Sequence, residues 1–401
     1  MQIENLRHPS GQIIPMLVDE AGLPIVGPNE WILSRYQRSE NTLRRNLGEL
    51  SILYGWAAKM GVDIEDRITS GRGFSEAEIA GSLMKELRQD QSHRRVVKAA
   101  VSPHVQAQRI ATCAAYLGWM SDSLIALAPH LSQRDALQGS KDRLLTFLGN
   151  GMPSNPGRAK PAQDRLLSEA QRNFLIAELV KTDEQGGSGL KLAIRRRDRV
   201  AIMLMLICGL RIGELLGMKV EDIRFGSLTS VLFQRRPMDA NDPRIYRPLV
   251  KRQSRILWLD AKFAAIVDDY ILHSREVLLA KAREDTEYLI VSDEGAPLSI
   301  SRMFRICTGL VWAFPGRLPP GLSPHSLRHS FSSDLERSLR EGGVEEDRRR
   351  RHLALLRGDS SLESQNVYVA AEIEEEARRA LLANQRKAVE QAELLNEEPP
   401  F

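Results

Sequence analysis

GLRIGELLGMKVEDI, the stretch from Gly209 to Ile223, decides the interpretation of this chain together with PHSLRHSF, the stretch from Pro324 to Phe331. Each stretch carries an arginine, and Tyr368 is the only tyrosine that follows them. An arginine side chain stays charged and can bind two oxygens of a phosphate at once. Two guanidiniums, a histidine and a late phenol are together the groups that metal-free cleavage and rejoining of a phosphodiester requires.

These two stretches and a third, from Leu355 to Tyr368, resemble the motifs of the phage integrase family of tyrosine recombinases. The third reads LLRGDSSLESQNVY and resembles the family pattern in which a Gly-His-Ser turn precedes the nucleophilic tyrosine at a fixed distance. The resemblance covers residues 166–370 well, and residues 31–150 as a helical DNA-clamping domain. It implies a mainly α fold with a small antiparallel β-sheet in the catalytic domain (α+β), arranged as a two-domain DNA clamp of tyrosine recombinase type.

The resemblance assigns four residues to the central chemistry. Arg211 and Arg328 would bind the nonbridging oxygens of the phosphate, where negative charge grows in the transition state. Tyr368 would attack phosphorus and form a covalent 3′-phosphotyrosine, and its phenol, with an ordinary pKa of about 10, needs activation at neutral pH. His325 lies one helical turn before Arg328, so a helix puts both on one face. We expect His325 to exchange a proton with the phenol or to bind phosphate.

A lysine in a β-hairpin protonates the leaving 5′ oxygen in this family, and Lys251 is the residue that matches it here. Lys251 lies in a predicted β region shortly before Arg255. Two further residues support the site. Glu214 is expected to stabilise its helix or to orient Arg211, and His329 is expected to contact phosphate or to make a structural hydrogen bond. The resemblance implies no metal, no ATP and no other cofactor.

Asp359 departs from the family pattern. Nine residues before the tyrosine, the family usually has histidine or tryptophan, and this chain has Asp359 there. An ionised aspartate cannot donate a hydrogen bond to a phosphate, and its charge repels that phosphate. The side chain is therefore turned away or protonated, or else activity is reduced. His352 is the nearby substitute that the sequence offers.

Proline, glycine and periodicity divide the chain into segments. The sequence predicts an N-terminal arm at 1–30, a helical core-binding domain at 31–150, a linker at 151–165, a catalytic domain at 166–370 and a helical tail at 371–401. The five tryptophans are expected in the cores of these domains.

Local signals predict individual elements within these segments. Asn41 or Thr42 is expected to cap the first long helix. Runs of β-branched and apolar residues predict strands at 230–236, 247–251 and 255–259.

Composition is that of a soluble globular protein, with 42% hydrophobic and 27% charged residues. No uninterrupted apolar run reaches the roughly 18 residues of a membrane span. The N-terminus has no basic region followed by an apolar one, so no export signal is expected. Three widely separated cysteines favour buried thiols over a metal cluster or a disulfide framework. We therefore expect a cytoplasmic protein that makes no membrane contact and is nucleoid-associated when bound to DNA.

The charge distribution favours a polyanionic partner. The formal net charge is +4, but the last 31 residues carry eight acidic and four basic side chains, which leaves +8 on the rest. The positive net charge of residues 1–370 favours a nucleic acid as the partner but does not identify which one.

The expected function is site-specific recombination of double-stranded DNA, for integration or transposition of a mobile element. The resemblance implies a homotetramer on two paired sites. The amphipathic tail could pack on its own domain or dock onto a neighbouring protomer. Two alternatives remain: a type IB topoisomerase-like enzyme would relax supercoils with the same chemistry, and a DNA-binding accessory protein, weakened at Asp359, would form no covalent adduct.

Overall fold

The computed structural model describes residues 1–90, 100–154, 166–181, 188–236, 239–248, 250, 254–358, 376–388 and 390. Among the candidate site residues, Lys251, Asp359 and Tyr368 lie outside the described residues. The chain forms two compact units, Met1–Lys160 and Pro161–Phe401.

Unit 1 begins with an antiparallel hairpin and continues as helices. The hairpin pairs β1 (Gln2–Arg7) with β2 (Ile13–Val18). The helices are α1 (Val26–Leu33), α2 (Glu40–Met60), α3 (Ile64–Thr69), α4 (Met84–Arg88, preceded by a π-helical stretch, Ala77–Leu83), α5 (Pro103–Leu127) and α6 (Leu131–Asn150). Their inward faces bury Trp31 and Trp56 in a common core.

The N-cap of α2 is Ser39, whose hydroxyl accepts a hydrogen bond from the main-chain N–H of Thr42. The prediction of Asn41 or Thr42 as the cap was wrong, because the helix already begins at Glu40. Serine, asparagine and threonine are all good caps, so three candidates within four positions cannot be separated by residue type alone.

Helix α5 is the one described helix that has the length and apolar composition of a membrane span. A search for uninterrupted apolar runs misses it because polar residues are interspersed along it. Its Ile110, Cys113, Tyr116 and Leu117 are buried in the core of unit 1. Packing within the unit therefore accounts for its apolar composition.

Unit 2 combines a small antiparallel sheet with helices. The sheet has the order β3 (Ile223–Arg224), β4 (Thr229–Phe233) and β5 (Arg255–Leu259). The helices are α7 (Glu169–Val180), α8 (Gly189–Ile207), α9 (Ile212–Gly217), α10 (Ala261–Asp269), α11 (Glu276–Leu279), α12 (Ile300–Ala313), α13 (Pro324–Glu341), α14 (Glu346–Arg357) and α15 (376–388). Helix α8 runs through the core, with every residue from Arg199 to Ile207 buried.

Two expectations for unit 2 are corrected. Arg247, Pro248 and Val250 are not in a strand, and the third strand is the short β3 instead. Pro248 has no N–H for a ladder, and the guanidinium of Arg247 is buried against the main-chain carbonyl of Asp242. Trp312 is not in the core: it is 81% exposed on α12.

The described part of the tail, α15, packs on its own unit. Ala377, Leu381 and Ala388 are buried in the core of unit 2. Gln385 is completely buried, accepts a hydrogen bond from the main-chain N–H of Asp260, and donates to the carbonyl of Trp258 at 3.2 Å. Both bonds fix the helix to the end of β5.

Leu381→Ala is expected to lower the free energy of unfolding by about 2–5 kcal/mol, because it removes a buried side chain from the core. Urea denaturation of the full chain measures this. Lys387→Ala on the exposed face of the same helix is the matched control and should change stability by less than about 0.5 kcal/mol. Similar, small effects from both variants would contradict the packing of α15 on unit 2.

Candidate active site

The break between α8 and α9 brings the first arginine stretch against α13. Gly209 has a φ of +66°, a conformation that side chains other than glycine rarely adopt. A Cβ at this position would lie 2.1 Å from the ring of Phe331 on α13. The carbonyl of Gly209 also accepts a hydrogen bond from Nη1 of Arg328. A glycine is therefore required for the approach that places Arg328 beside the start of α9.

Arg211 is the N-cap residue of α9, and Glu214 lies in the first turn of that helix. The Glu214 carboxylate accepts the main-chain N–H of Arg211 at 2.8 Å and the Arg211 guanidinium at 3.2 Å. A carboxylate at this position also interacts favourably with the positive end of the helix dipole. Glu214 therefore caps the helix and hydrogen-bonds the guanidinium of Arg211.

The carbonyl oxygen of Arg357 is the point at which two guanidiniums converge. Nη1 of Arg211 donates to it at 2.8 Å and Nη2 of Arg328 donates to it at 2.9 Å. Arg357 is the last residue of α14, and the helix ends at Gly358 with a φ of +63°. The two arginines named from separate sequence motifs thus bind one oxygen atom.

Arg255 completes the surroundings of Glu214. Its Nη1 and Nη2 donate to the two carboxylate oxygens at 2.5 and 2.9 Å, a bidentate ion pair in which Glu214 is only 1% exposed. Nη1 of Arg328 lies 3.8 Å from the same carboxylate. We call Arg211, Arg255 and Arg328, gathered around Glu214, the arginine cluster.

The charges in the arginine cluster shift the pKa values of its members. Burial by itself raises the pKa of Glu214, but the hydrogen bonds and charge of Arg255, together with those of Arg211, outweigh burial and leave it below its ordinary value. Burial and then repulsion from Arg211 lower the pKa of Arg328 to about 10. Both groups therefore stay charged at neutral pH.

His325 and His329 form a pair at the start of α13. Their Nε2 atoms are 2.9 Å apart and their rings meet edge to face. His325 is exposed, whereas His329 is partly buried. Burial, followed by the charges of His325 and Arg357, lowers the pKa of His329. A neutral His329 can therefore accept a hydrogen bond from His325 or donate one to it. A structural hydrogen bond of this kind was one of the two alternatives expected for His329, and contact with phosphate was the other.

His352 is placed apart from this group. Its ring is buried on α14, and Nε2 lies 3.1 Å from a carboxylate oxygen of Glu376 in α15. Burial lowers the pKa of His352, and Glu376 partly opposes that shift. The contact described for His352 therefore joins two helices and does not involve the arginine cluster.

Two groups of the site, the Arg255 side chain and the Arg357 carbonyl, were not predicted from the sequence. A signal for Arg255 was present: in β5 it lies on the same side as Leu257 and Leu259, which are buried. An arginine on the inward side of a strand requires a buried carboxylate or several carbonyls as partners. No sequence signal identifies the Arg357 carbonyl, because every residue has that group.

Known proteins of one family are similar to the second unit. Residues 176–341 match the phage integrase family. Tyrosine recombinase XerC of Bacillus licheniformis is 26% identical over 208 residues, which are 52% of this chain and 59% of the relative. Tyrosine recombinase XerA of Thermococcus onnurineus is 26% identical over 205 residues, 50% of this chain and 57% of the relative. The matched region thus spans less than two thirds of these relatives.

A solved structure with a similar chain course is that of the XerH site-specific recombinase bound to palindromic difH substrate. It is 14% identical, covers 90% of each chain and has a TM-score of 0.40.

Gly209→Ala is expected to destabilise the chain by about 1–2 kcal/mol for the backbone conformation and about 1–3 kcal/mol more for the collision with Phe331. Gly316→Ala is the matched control, since Gly316 has a φ of +73° but no atom within 4 Å of an added Cβ. Urea denaturation measures both variants. Equal losses would show that Gly209 does not need the close approach to α13.

Glu214→Gln is expected to lower stability at neutral pH by about 3–5 kcal/mol, because it leaves buried guanidiniums without their anion. The pKa of Glu214 is lowered by folding, so the stabilisation is present above its unfolded pKa and is lost as pH falls through the folded one. Chemical denaturation of both proteins from neutral pH to below the ordinary glutamate pKa should show the difference shrinking. Glu221→Gln, at an exposed ion pair, is the control and should show little difference at any pH.

Proposed function

We propose that this chain is a site-specific recombinase that cuts and rejoins duplex DNA through a covalent 3′-phosphotyrosine, because residues 176–341 match the phage integrase family and the similar XerC and XerA proteins are tyrosine recombinases. The observation that carries the proposal is the convergence of Arg211 and Arg328 on one oxygen, the Arg357 carbonyl. Two fixed guanidinium donors aimed at one oxygen form the arrangement that a phosphate oxygen needs in phosphoryl transfer.

In this proposal the scissile phosphate takes the place of the Arg357 carbonyl as the acceptor for both guanidiniums. Tyr368 attacks phosphorus, the P–O bond to the 5′ oxygen breaks, and Lys251 gives that oxygen a proton. His325, exposed at the start of α13, exchanges a proton with the phenol or binds phosphate. A 5′ hydroxyl of a partner duplex then attacks the phosphotyrosine, so the bond energy is retained without metal or ATP.

The proposed partner is double-stranded DNA, and the proposed assembly is a homotetramer on two paired sites of a mobile element. Binding relies on phosphate contacts, so the affinity should fall steeply as salt rises. The net charge of +8 before the tail supports this. Helix α15 packs on its own unit through Ala377, Leu381 and Ala388, so these three residues do not take part in the proposed contacts between protomers.

A nicked suicide duplex tests the chemistry. The duplex should carry the site that the chain prefers, selected from random sequence by binding, with the nick placed so that the cut end diffuses away and rejoining fails. The wild-type chain is expected to accumulate a covalent protein–DNA adduct, visible on a denaturing gel. Tyr368→Phe should bind the same duplex with unchanged affinity and form no adduct, because it lacks the nucleophilic oxygen.

Other results would identify the alternatives. Site-specific binding without an adduct from the wild type would favour an accessory DNA-binding protein. Adduct formation with supercoil relaxation, but without exchange between two duplexes, would favour a topoisomerase-like enzyme. Adduct formation by Tyr368→Phe would exclude Tyr368 as the nucleophile.

A further inference from the structure

Arg255 contacts three parts of unit 2 at once. It stands at the start of β5, and its guanidinium binds both oxygens of Glu214 in α9. The guanidinium carbon lies 4.9 Å from the ring centre of Phe233 on the neighbouring strand β4. A Cβ at Gly358 would lie 2.7 Å from its Nη1, so Arg255 also fills the space beneath the end of α14.

Glu214 has one strong partner and two weaker ones among the guanidiniums. Arg255 provides two N–H groups at 2.5 and 2.9 Å, Arg211 provides one at 3.2 Å, and Arg328 stands 3.8 Å away. Arg211 and Arg328 both donate to the Arg357 carbonyl, at 2.8 and 2.9 Å, and Arg328 also donates to the carbonyl of Gly209. The charge of the Glu214 carboxylate is therefore balanced mainly by Arg255, and not by the two arginines that bind the Arg357 carbonyl.

Removing Arg255 would leave this buried carboxylate with the main-chain N–H of Arg211 on one oxygen and the Arg211 guanidinium, at 3.2 Å, on the other. The carboxylate would then lack its bidentate cation. A buried, uncompensated charge is costly, and the nearest way to compensate it is a shift of Arg328 and Arg211 towards Glu214. A bound phosphate and the carboxylate are both anions, so they would then compete for the same two guanidiniums. The side chain of Arg255 prevents that competition by binding both oxygens of Glu214.

We infer that Arg255 is a positioning residue for phosphoryl transfer: it occupies the Glu214 carboxylate and so keeps Arg211 and Arg328 available for the scissile phosphate. The inference rests on the proposed function and extends it to a residue outside the sequence motifs. Its contact with Gly358 adds a second effect, because the same guanidinium supports the turn that follows the Arg357 carbonyl.

A set of variants of the full chain separates positioning from plain stability. Arg255→Met keeps much of the side-chain volume but removes the charge, and is expected to slow adduct formation on the suicide duplex by about thirtyfold with little change in DNA affinity. Arg255→Lys keeps the charge without the bidentate fork and should be intermediate. The double variant Arg255→Met with Glu214→Gln removes the competing anion and should recover about tenfold of the lost rate.

Arg172→Met is the matched control. Arg172 forms an ion pair with Asp334 at 3.1 Å, and both side chains are buried to a similar degree as those of Arg255 and Glu214. Its loss should lower stability, measured by urea denaturation, and leave the cleavage rate unchanged. If Arg172→Met slows cleavage as much as Arg255→Met, the effect of Arg255 is one of stability and the inference is wrong.

A second measurement does not depend on turnover. The affinity for inorganic phosphate, measured by calorimetry, should fall about tenfold in Arg255→Met and recover in the double variant. This affinity depends on the same competition between phosphate and Glu214 for the two guanidiniums. Failure of the wild type to form any adduct would overturn the proposed function, while recovery of phosphate binding would still support the inference. Failure of the double variant to recover in either measurement would overturn the inference alone.

Discussion

The buried carboxylate of Glu214 is the interaction on which the second unit depends. It lies within ion-pair distance of three guanidiniums that come from β5, α9 and α13, and these arginines lie far apart in sequence. Like charges at this spacing repel strongly in a buried setting, where screening by water is weak. The Glu214 carboxylate, bonded on both oxygens, offsets that repulsion and so makes an anion site possible.

Two glycines make the approach of the main chain to these charges possible. Gly209 lets the start of α9 pass against Phe331, and Gly358 ends α14 where Arg255 occupies the space that a side chain would fill. Both have positive φ values, which cost other residues free energy. The arginine cluster is therefore built from backbone geometry as much as from charge. A substitution at Gly209 would act on it through Phe331, whereas one at Gly358 would collide with the guanidinium of Arg255.

The contacts between residues close together in the sequence could be predicted from the sequence alone. Arg211 with Glu214, and Arg328 with His325 and His329, each lie within one or two helical turns, so spacing alone predicts their proximity. Strand β5 was predicted at its observed position from its run of β-branched and apolar residues. Arg255 and the exposure of Trp312 were not, because the pairing of distant charges and the covering of a helix face are decided by tertiary packing, which one sequence does not reveal.

The Arg357 carbonyl joins the arginine cluster to the end of α14. Helix α14 is held at its end by Arg211 and Arg328, and α15 is held at its start by Glu376, which bonds to His352 and Arg348 of α14. Tyr368 lies between these two helices in the sequence. In the proposed reaction, a phosphate that takes both guanidiniums replaces the two hydrogen bonds of the Arg357 carbonyl. The bonds of Glu376 to His352 and Arg348 involve neither guanidinium, so they hold α14 and α15 together whether or not phosphate is bound.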